Sequence, residues 1–334
     1  MYKPNPSFIV KDMEYEGVVH VARRGQQDGS AQHRLFLLAG THGNEIAGPM
    51  ALATLLEREW EWPNVQMLAV LQDEEGYLDE GYGFVSSTEE DDEACWPPLW
   101  HHYRDNQRYW FYVDENSAWG NNAVVPKRHR KMRELMHDLE PTFMLTLHET
   151  VQEETTRNEF WAGAGNLLIE VWPISSAELS SVIRYEGNPL SDPIGWMIKT
   201  SFEFIRGMFG IPRWKLSTRA LQSNPHYQLT TKIVERYIEL GGEIAGGKWT
   251  EYLEYFQDLV IGAGRLVHSP EYHLSEWRTA TDYACGHFGC PGVTTETFQP
   301  AEMGLRGVDD RVANQCRYIQ AVLDTLEGID NEQE

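Results

Sequence analysis

The sequence predicts an α/β fold in three layers, in which a mixed, mostly parallel, doubly wound sheet lies between two layers of helices. Two observations lead to this prediction. Segments of strand length are continuously apolar, as they are when helices cover both faces of a sheet. Segments with helical periodicity alternate with them, and a polar turn follows where an apolar segment ends. We expect one domain over residues 1–334, with an insertion at about 150–277.

Strands are predicted where short apolar segments occur. The segment 34–39 is continuously apolar after its first residue, which is typical of a strand buried on both faces. The segments 65–71 and 143–147 are also mostly apolar, each with one polar residue. In chain order, the predicted strands are 18–22, 34–39, 65–71, 143–147 and 293–297.

Helices are predicted between and after these strands. Residues 45–58 carry apolar side chains near helical spacing, and a helix over 127–139 begins directly after Pro126. The less regular, aromatic-rich region that follows contains helix-like stretches at 230–240 and 249–261. Six apolar residues spaced three or four apart predict an amphipathic C-terminal helix: Val308, Val312, Cys316, Ile319, Leu323 and Leu326.

Charge and composition exclude several classes of function. Lys plus Arg total 28 and Asp plus Glu total 51, so the formal net charge is −23 at pH 7. A protein this acidic repels phosphate groups, and we therefore expect neither nucleic acid nor a membrane as a partner. No apolar stretch approaches the ~18 residues of a membrane span, and the first residues do not resemble a signal peptide, so the expected location is cytoplasmic. The four cysteines form no Cys-x-x-Cys pair, which excludes a zinc finger.

The most informative polar segment is the run Gly-Thr-His-Gly-Asn-Glu at 40–45. It follows a predicted buried strand and opens a predicted helix, a position where doubly wound sheets bind ligands. His42 and Glu45 are three residues apart across the turn, so their imidazole and carboxylate can converge on one point. The alternative interpretation is structural: a histidine that hydrogen-bonds the turn, and a glutamate at a helix N-terminus, where the helix dipole favours it.

A second histidine, His148, stands just past the predicted strand 143–147. Two strand-end histidines and one strand-end glutamate make a His₂Glu set. Three protein ligands with a fourth position left for water are the pattern of a catalytic zinc site. Taken alone, His148 could equally be a buried histidine with satisfied hydrogen bonds.

With both motifs present, the sequence resembles the zinc carboxypeptidase superfamily, especially its aspartoacylase and succinylglutamate desuccinylase branch. The run 40–45 is close to the first metal motif of that branch, and the segment 140–143 between helix and strand is also similar. The resemblance covers residues about 15–150 and about 278–325. It implies one Zn²⁺ per chain, with His42, Glu45 and His148 as its ligands.

A third match, Arg108-Tyr109 followed by Asp-Glu-Asn-Ser at 114–117, resembles the family's Arg and its later Asp-x-Asn-Arg. The resemblance implies that Arg108 polarises the scissile carbonyl, with Arg104 as a less favoured alternative, and that Asn116 binds substrate. Ser117 stands where the family has an arginine that binds a substrate carboxylate, and serine cannot replace that bidentate partner. Candidates for a substitute are Arg157, Arg184 and Arg206.

A fourth match lies near the C-terminus. The run Thr-Thr-Glu-Thr at 294–297 resembles the family's last strand, whose glutamate is the general base, and Glu296 takes that place. Thr281 stands where the digestive carboxypeptidases have the residue that lines their side-chain pocket. Because Thr281 is neutral, a strongly acidic or basic specificity is not indicated. The family's mobile tyrosine falls near Tyr272.

The resemblance implies a zinc-dependent hydrolase that cleaves an amide bond in a peptide or an N-acyl amino acid. A metallocarboxypeptidase-like peptidase and an N-acyl amino acid deacylase are the alternatives within this class, and the expected partner is a small-molecule or peptide substrate. Because Ser117 departs from the family, a non-catalytic binding protein on the same fold is the alternative from another class. The insertion at about 150–277 could form a lid, a specificity cap, a dimer surface or a surface decoration, and a homo-oligomer is left open.

Overall fold

The structure is a computed structural model. It describes residues 11–41, 45–72, 84–85, 103–104, 107–108, 113–114, 119, 127–152, 165–175, 178–179, 222–244, 259–262, 264–271, 279–300 and 307–328. The backbone alone is described at 84–85, 103–104, 107–108, 113–114, 127–128, 150–152, 259–262 and 298–300.

Strands and helices alternate along the described part of the chain. The strands are β1 (Glu14–Tyr15), β2 (His20–Arg24), β3 (His33–Ala39), β4 (Val65–Leu71), β5 (Phe84–Val85), β6 (Tyr103–Arg104), β7 (Gln107–Arg108), β8 (Val113–Asp114), β9 (Phe143–Gln152), β10 (Asn166–Val171), β11 (Leu259–Gly262), β12 (Arg265–His268) and β13 (Gly292–Pro300). The helices are α1 (Ala47–Leu56), α2 (Lys127–Leu139), α3 (Pro225–Glu239), α4 (Ala280–Phe288) and α5 (Val308–Gly328).

Nine of these strands form one mixed sheet, in the order β1-β2-β4-β3-β9-β13-β10-β12-β11. The four central strands, β4, β3, β9 and β13, are parallel to one another. β2 and β10 pair antiparallel on either side of this centre. The predicted mixed α/β sheet is confirmed, and its parallel strands form the middle of the molecule.

Helices cover both faces of the sheet. On one face, α1, α3 and α5 pack against alternate apolar residues of the central strands, for example Leu37 and Leu145. On the other face, α2 and α4 pack against the intervening residues, for example Phe36 and Met144. The two clusters share no residue, because successive side chains of a strand point to opposite faces. The predicted three-layer arrangement is therefore confirmed.

Most predicted elements are present, with shifted ends. The predicted strand 65–71 and helix 127–139 agree with β4 and α2 residue for residue. β9 and β13 are longer than predicted because they continue to pair with each other as far as Gln152 and Pro300. α3 begins earlier than predicted, because the Asn224 side chain caps it and Pro225 follows at its first position.

One predicted helix is wrong at its end. Residues 259–261 belong to β11, which pairs with β12 at the edge of the sheet, and residues 249–258 lie outside the described residues. The region expected as an insertion also contributes to the main fold. β10 and β12 extend the central sheet beyond β13, and α3 packs into the main core through Ile233 and Tyr237.

The described residues add two simpler findings. No helix among them is long and apolar enough to cross a membrane. Cys285, Cys290 and Cys316 are free thiols. Burial raises the pKa of all three, and that of Cys290 reaches about 12.

Helix α1 approaches β9 closely through Gly48. A Cβ atom at this position would lie 2.8 Å from the Leu147 Cβ and 3.2 Å from the Leu147 carbonyl oxygen. Only a residue without a side chain allows this approach. It brings the start of α1 against the part of β9 that precedes His148.

Replacing Gly48 with alanine is therefore expected to destabilise the fold. Overpacking against β9 should outweigh the better helix propensity of alanine, and the free energy of unfolding should fall by about 1–2 kcal/mol in urea titrations. Gly328→Ala is the matched control, since a Cβ there meets nothing within 4 Å. Equal stability of the two variants would show that the close contact is not tight.

Candidate functional site

The candidate site lies toward the carboxyl edge of the sheet, at the level where β3 ends and four residues before β9 and β13 end. β3 ends at Ala39, which pairs with Leu147 of β9, so His148 is the first residue of β9 beyond that level. Glu45 stands six residues after Ala39, where β3 ends, and two residues before Ala47, where α1 begins. Ligand sites in open α/β sheets form at such edges.

Glu45 and His148 are in direct contact. Glu45 Oε2 lies 2.8 Å from His148 Nδ1, and the two side chains are 8% and 1% exposed. A carboxylate and an imidazole therefore meet in a place from which most water is excluded. The sequence predicts that these two residues converge, and the structure brings them together.

Glu296 lies beside His148 on the neighbouring strand. The two residues are aligned in the parallel pairing of β13 with β9. Paired residues of adjacent strands point to the same face of a sheet, so both side chains are on the face that α2 and α4 cover. Glu296 is only partly buried, whereas His148 is buried. A half-buried carboxylate next to a buried imidazole can exchange protons with a bound molecule.

The donor atoms present suit zinc. Zn²⁺ prefers histidine nitrogen and carboxylate oxygen, at bond lengths of about 2.0–2.2 Å, and two tetrahedral ligands then stand roughly 3.4 Å apart. The observed 2.8 Å between Glu45 Oε2 and His148 Nδ1 is a hydrogen-bond distance, so the two atoms would have to move about 0.6 Å apart to share an ion. Within the described residues, no group of three or more His, Cys, Asp or Glu side chains forms a metal site. The predicted third ligand, His42, lies outside the described residues.

Other predicted site residues are only partly placed. Arg108 lies in β7, which forms a two-stranded hairpin with β6, and the alternative Arg104 lies in the same hairpin. Their side chains, like Asn116 and Tyr272, lie outside the described residues. Their predicted roles stay predictions.

Thr281 is fully buried in the first turn of α4. Its hydroxyl lies 2.9 Å from the hydroxyl of Thr146 on β9 and 2.9 Å from that of Thr294 on β13. Each of these strand residues is two positions before a candidate catalytic residue, His148 or Glu296. The three hydroxyls therefore connect α4 to β9 and β13, two residues before His148 and Glu296. The predicted contact of Thr281 with substrate stays a prediction.

Asp282, the next residue, is also used within the fold. It completes a capping box at the start of α4, in which Thr279 Oγ1 accepts a hydrogen bond from the Asp282 backbone N–H. Its Oδ1 lies 2.8 Å from Nε2 of the buried His268 on β12. These contacts fix the start of α4 relative to β12.

A buried polar group on the opposite face of β9 was not predicted from the sequence. Glu149 follows His148, and its Oε1 accepts a hydrogen bond from Arg311 Nε at 2.6 Å. Its Oε2 accepts a hydrogen bond from the Ala47 backbone N–H at 2.7 Å. One turn further along α5, Gln315 Nε2 donates to the His148 carbonyl oxygen at 3.1 Å.

Burial dominates the electrostatics of Glu149. Desolvation raises the pKa of its carboxyl group to about 7, against the opposing effects of the Arg311 guanidinium and the Ala47 N–H group, while the Glu45 carboxylate raises it further. The sequence contains one signal of this buried polar group. Arg311 and Gln315 lie four residues apart on the buried face of α5, next to Val312 and Cys316, on which the prediction of the helix was based.

Comparisons with known proteins give matches to solved structures only. A protein from Shewanella denitrificans assigned as a metallopeptidase is 10% identical, with a TM-score of 0.49, over 95% of this chain and 82% of the other. One from Shewanella amazonensis with the same assignment is 13% identical, with a TM-score of 0.46, over 92% and 82%. A metallo-carboxypeptidase from Burkholderia cenocepacia is 10% identical, with a TM-score of 0.47, over 94% and 61%. No family model and no curated protein matches the chain.

Substituting Thr281 tests the hydroxyl chain below the site. Thr281→Val keeps the shape but leaves the hydroxyls of Thr146 and Thr294 without this partner, so the free energy of unfolding should fall by about 1–3 kcal/mol. Thr54→Val is the control, because the Thr54 hydroxyl donates to the Met50 carbonyl of its own helix and is not part of this chain of hydroxyls. A loss no larger than that of the control, measured by urea unfolding, would show that the buried chain contributes no net stability.

Proposed function

We propose that this chain is a zinc-dependent hydrolase that cleaves an amide bond in the manner of a metallocarboxypeptidase. The observation that carries the proposal is the 2.8 Å contact between Glu45 and His148, with Glu296 aligned beside His148 on the neighbouring parallel strand. Nothing in the packing of an α/β sheet requires this set of residues at one point. In the proposal, His42 completes the ligand set.

Each residue has a defined task in the proposed reaction. Zinc held by His42, Glu45 and His148 would lower the pKa of a bound water toward ~7 and polarise the substrate carbonyl. Glu296 accepts a proton from the attacking water and returns it to the leaving nitrogen as the C–N bond breaks. Arg108 stabilises the negative charge that develops on the carbonyl oxygen. Asn116 orients the substrate.

The substrate class has two candidates. The run at 40–45 resembles the deacylase branch, whereas the runs around Thr281 and Glu296 resemble the carboxypeptidases. Ser117 removes the arginine that either branch uses for a carboxylate. A panel of blocked peptides and N-acyl amino acids, assayed for release of free amine, distinguishes the two.

Metal content is the first test of the proposal. Mass spectrometry of the purified protein should find about one zinc per chain, and His148→Ala should lose it because an imidazole ligand is gone. His287→Ala is the control, since this exposed histidine lies on α4 away from the strand ends. Wild-type protein that takes up no zinc when it is supplied would overturn the proposal and leave a binding protein on this fold.

The role of Glu296 predicts a different pattern. Glu296→Gln should keep the zinc but lower kcat by about 10²- to 10⁴-fold, because the amide cannot accept the proton of the attacking water. Glu239→Gln removes an exposed carboxylate on α3 and should leave kcat unchanged. If Glu296→Gln retained full activity with its metal, another group would have to be the base.

A further inference from the structure

Helix α1 has no N-terminal cap of its own. Its N-cap residue, Ile46, has no side-chain hydrogen bond to the helix, and no acidic residue stands in the first turn. The first N–H groups of a helix need partners from elsewhere. Glu149 supplies one from the neighbouring strand, since its Oε2 accepts from the Ala47 N–H at 2.7 Å. The carboxylate also lies where the helix dipole favours negative charge.

This contact joins the two segments that carry the candidate ligands. Ala47 stands two residues after Glu45, and Glu149 stands one residue after His148. A single carboxylate therefore connects the turn after β3 with the strand β9, on the face opposite the site. Because this hydrogen bond lies one or two residues from each candidate ligand, it restricts the distance between Glu45 Oε2 and His148 Nδ1.

Helix α5 holds the other side of the same carboxylate. Arg311 donates to Glu149 Oε1 through Nε at 2.6 Å, and the two side chains are 2% and 0% exposed. Gln315 binds the His148 carbonyl oxygen, and it also donates to Thr297 Oγ1 on β13. The buried polar residues of α5 thus form hydrogen bonds with both β9 and β13, the strands that carry His148 and Glu296.

A buried ion pair contributes little net free energy to the stability of a fold. Desolvation offsets most of its attraction, and well-packed apolar residues of similar volume give equal or greater stability. Stability alone therefore does not account for Glu149 and Arg311 at this place. What apolar residues could not supply is the hydrogen bond to the Ala47 N–H and the directional contact with the guanidinium.

We infer that Glu149 and Arg311 are positioning residues, which hold the turn carrying Glu45 against the strand carrying His148 so that the two ligands are preorganised for a metal ion. The inference rests on the proposed function, and it concerns metal affinity rather than the chemical step. Partners behind a ligand shell typically change metal affinity about 10- to 100-fold when they are removed.

The experiment measures zinc affinity by competition with a chromophoric chelator, in wild type, Glu149→Gln, Arg311→Lys and His148→Ala. Glu149→Gln should raise the Kd for zinc about 10- to 100-fold, since an amide can accept only one of the two hydrogen bonds and presents an N–H group to the other donor. Arg311→Lys keeps the charge without the guanidinium geometry, and it should raise the Kd by a smaller factor. The visible spectrum of bound Co²⁺ should shift in both variants, because the geometry of the ligands changes.

The chain provides a matched control in a second buried pair. Glu170 on β10 accepts from Arg265 Nε at 2.6 Å and is also fully buried, but it pairs with Val293, three residues before Glu296. Its side-chain hydrogen bonds go to Arg265 and Trp172, and not to the segments that carry Glu45 and His148. Glu170→Gln should lose stability in the metal-free form much as Glu149→Gln does, yet its zinc Kd and Co²⁺ spectrum should match wild type. If the two variants lose the same stability but only Glu149→Gln binds zinc more weakly, Glu149 has a positioning role and not merely a structural one.

The outcomes separate the two proposals. If wild type binds zinc and His148→Ala does not, but Glu149→Gln and Arg311→Lys bind like wild type, the positioning role is overturned and the proposed function stands. If Glu170→Gln weakens zinc binding as much as Glu149→Gln, a general loss of stability explains the effect and the positioning role is again overturned. If wild type and His148→Ala are equally unable to bind zinc, both proposals fail. Should Glu149→Gln not fold, Arg311→Lys against Glu170→Gln decides the same question.

Discussion

The parallel pairing of β3, β9 and β13 is the constraint on which the candidate site depends. Because these strands run in the same direction, their carboxyl ends meet at one edge, and residues far apart in the sequence become neighbours there. The pairing sets Glu296 beside His148 and ends β3 one residue before that level. A shift of β9 by one residue would turn His148 to the opposite face and replace it with Leu147 or Glu149. The chemistry of the site is therefore a property of strand register.

Near its carboxyl end, β9 places His148 and Glu149 on opposite faces of the sheet. His148 points to the side of α2 and α4, where a substrate could reach the half-buried Glu296. Glu149 points to the side of α1 and α5, where water is excluded and the carboxylate is held by Arg311 and Ala47. Adjacent residues of one strand thus lie in two different environments. The alternation of side chains along a strand makes this separation possible.

Much of the fold could be predicted from the sequence, because buried strands and amphipathic helices leave local patterns. The strands on either side of the site were predicted for this reason, although the predicted strand 143–147 stops before His148, which lies within β9. Helix α4 was missed, since its short sequence mixes β-branched, small and aromatic residues, and only the capping residues Thr279 and Asp282 mark its start. The contact of Glu149 with Arg311 could not be predicted, because no local pattern relates two residues on different elements of the sheet and helix layers.

The separation between those two residues has a consequence for how the protein is made. Glu149 and Arg311 are 162 residues apart in the sequence. At roughly 5–20 residues per second, a ribosome needs about 8–30 seconds to synthesise the intervening chain. During that interval Arg311 is not yet available to pair with the Glu149 carboxylate, so the contacts that join α5 to this edge of the sheet cannot form. The edge is completed only after α5 has emerged, and a nascent chain without it carries an incomplete site on a largely synthesised sheet.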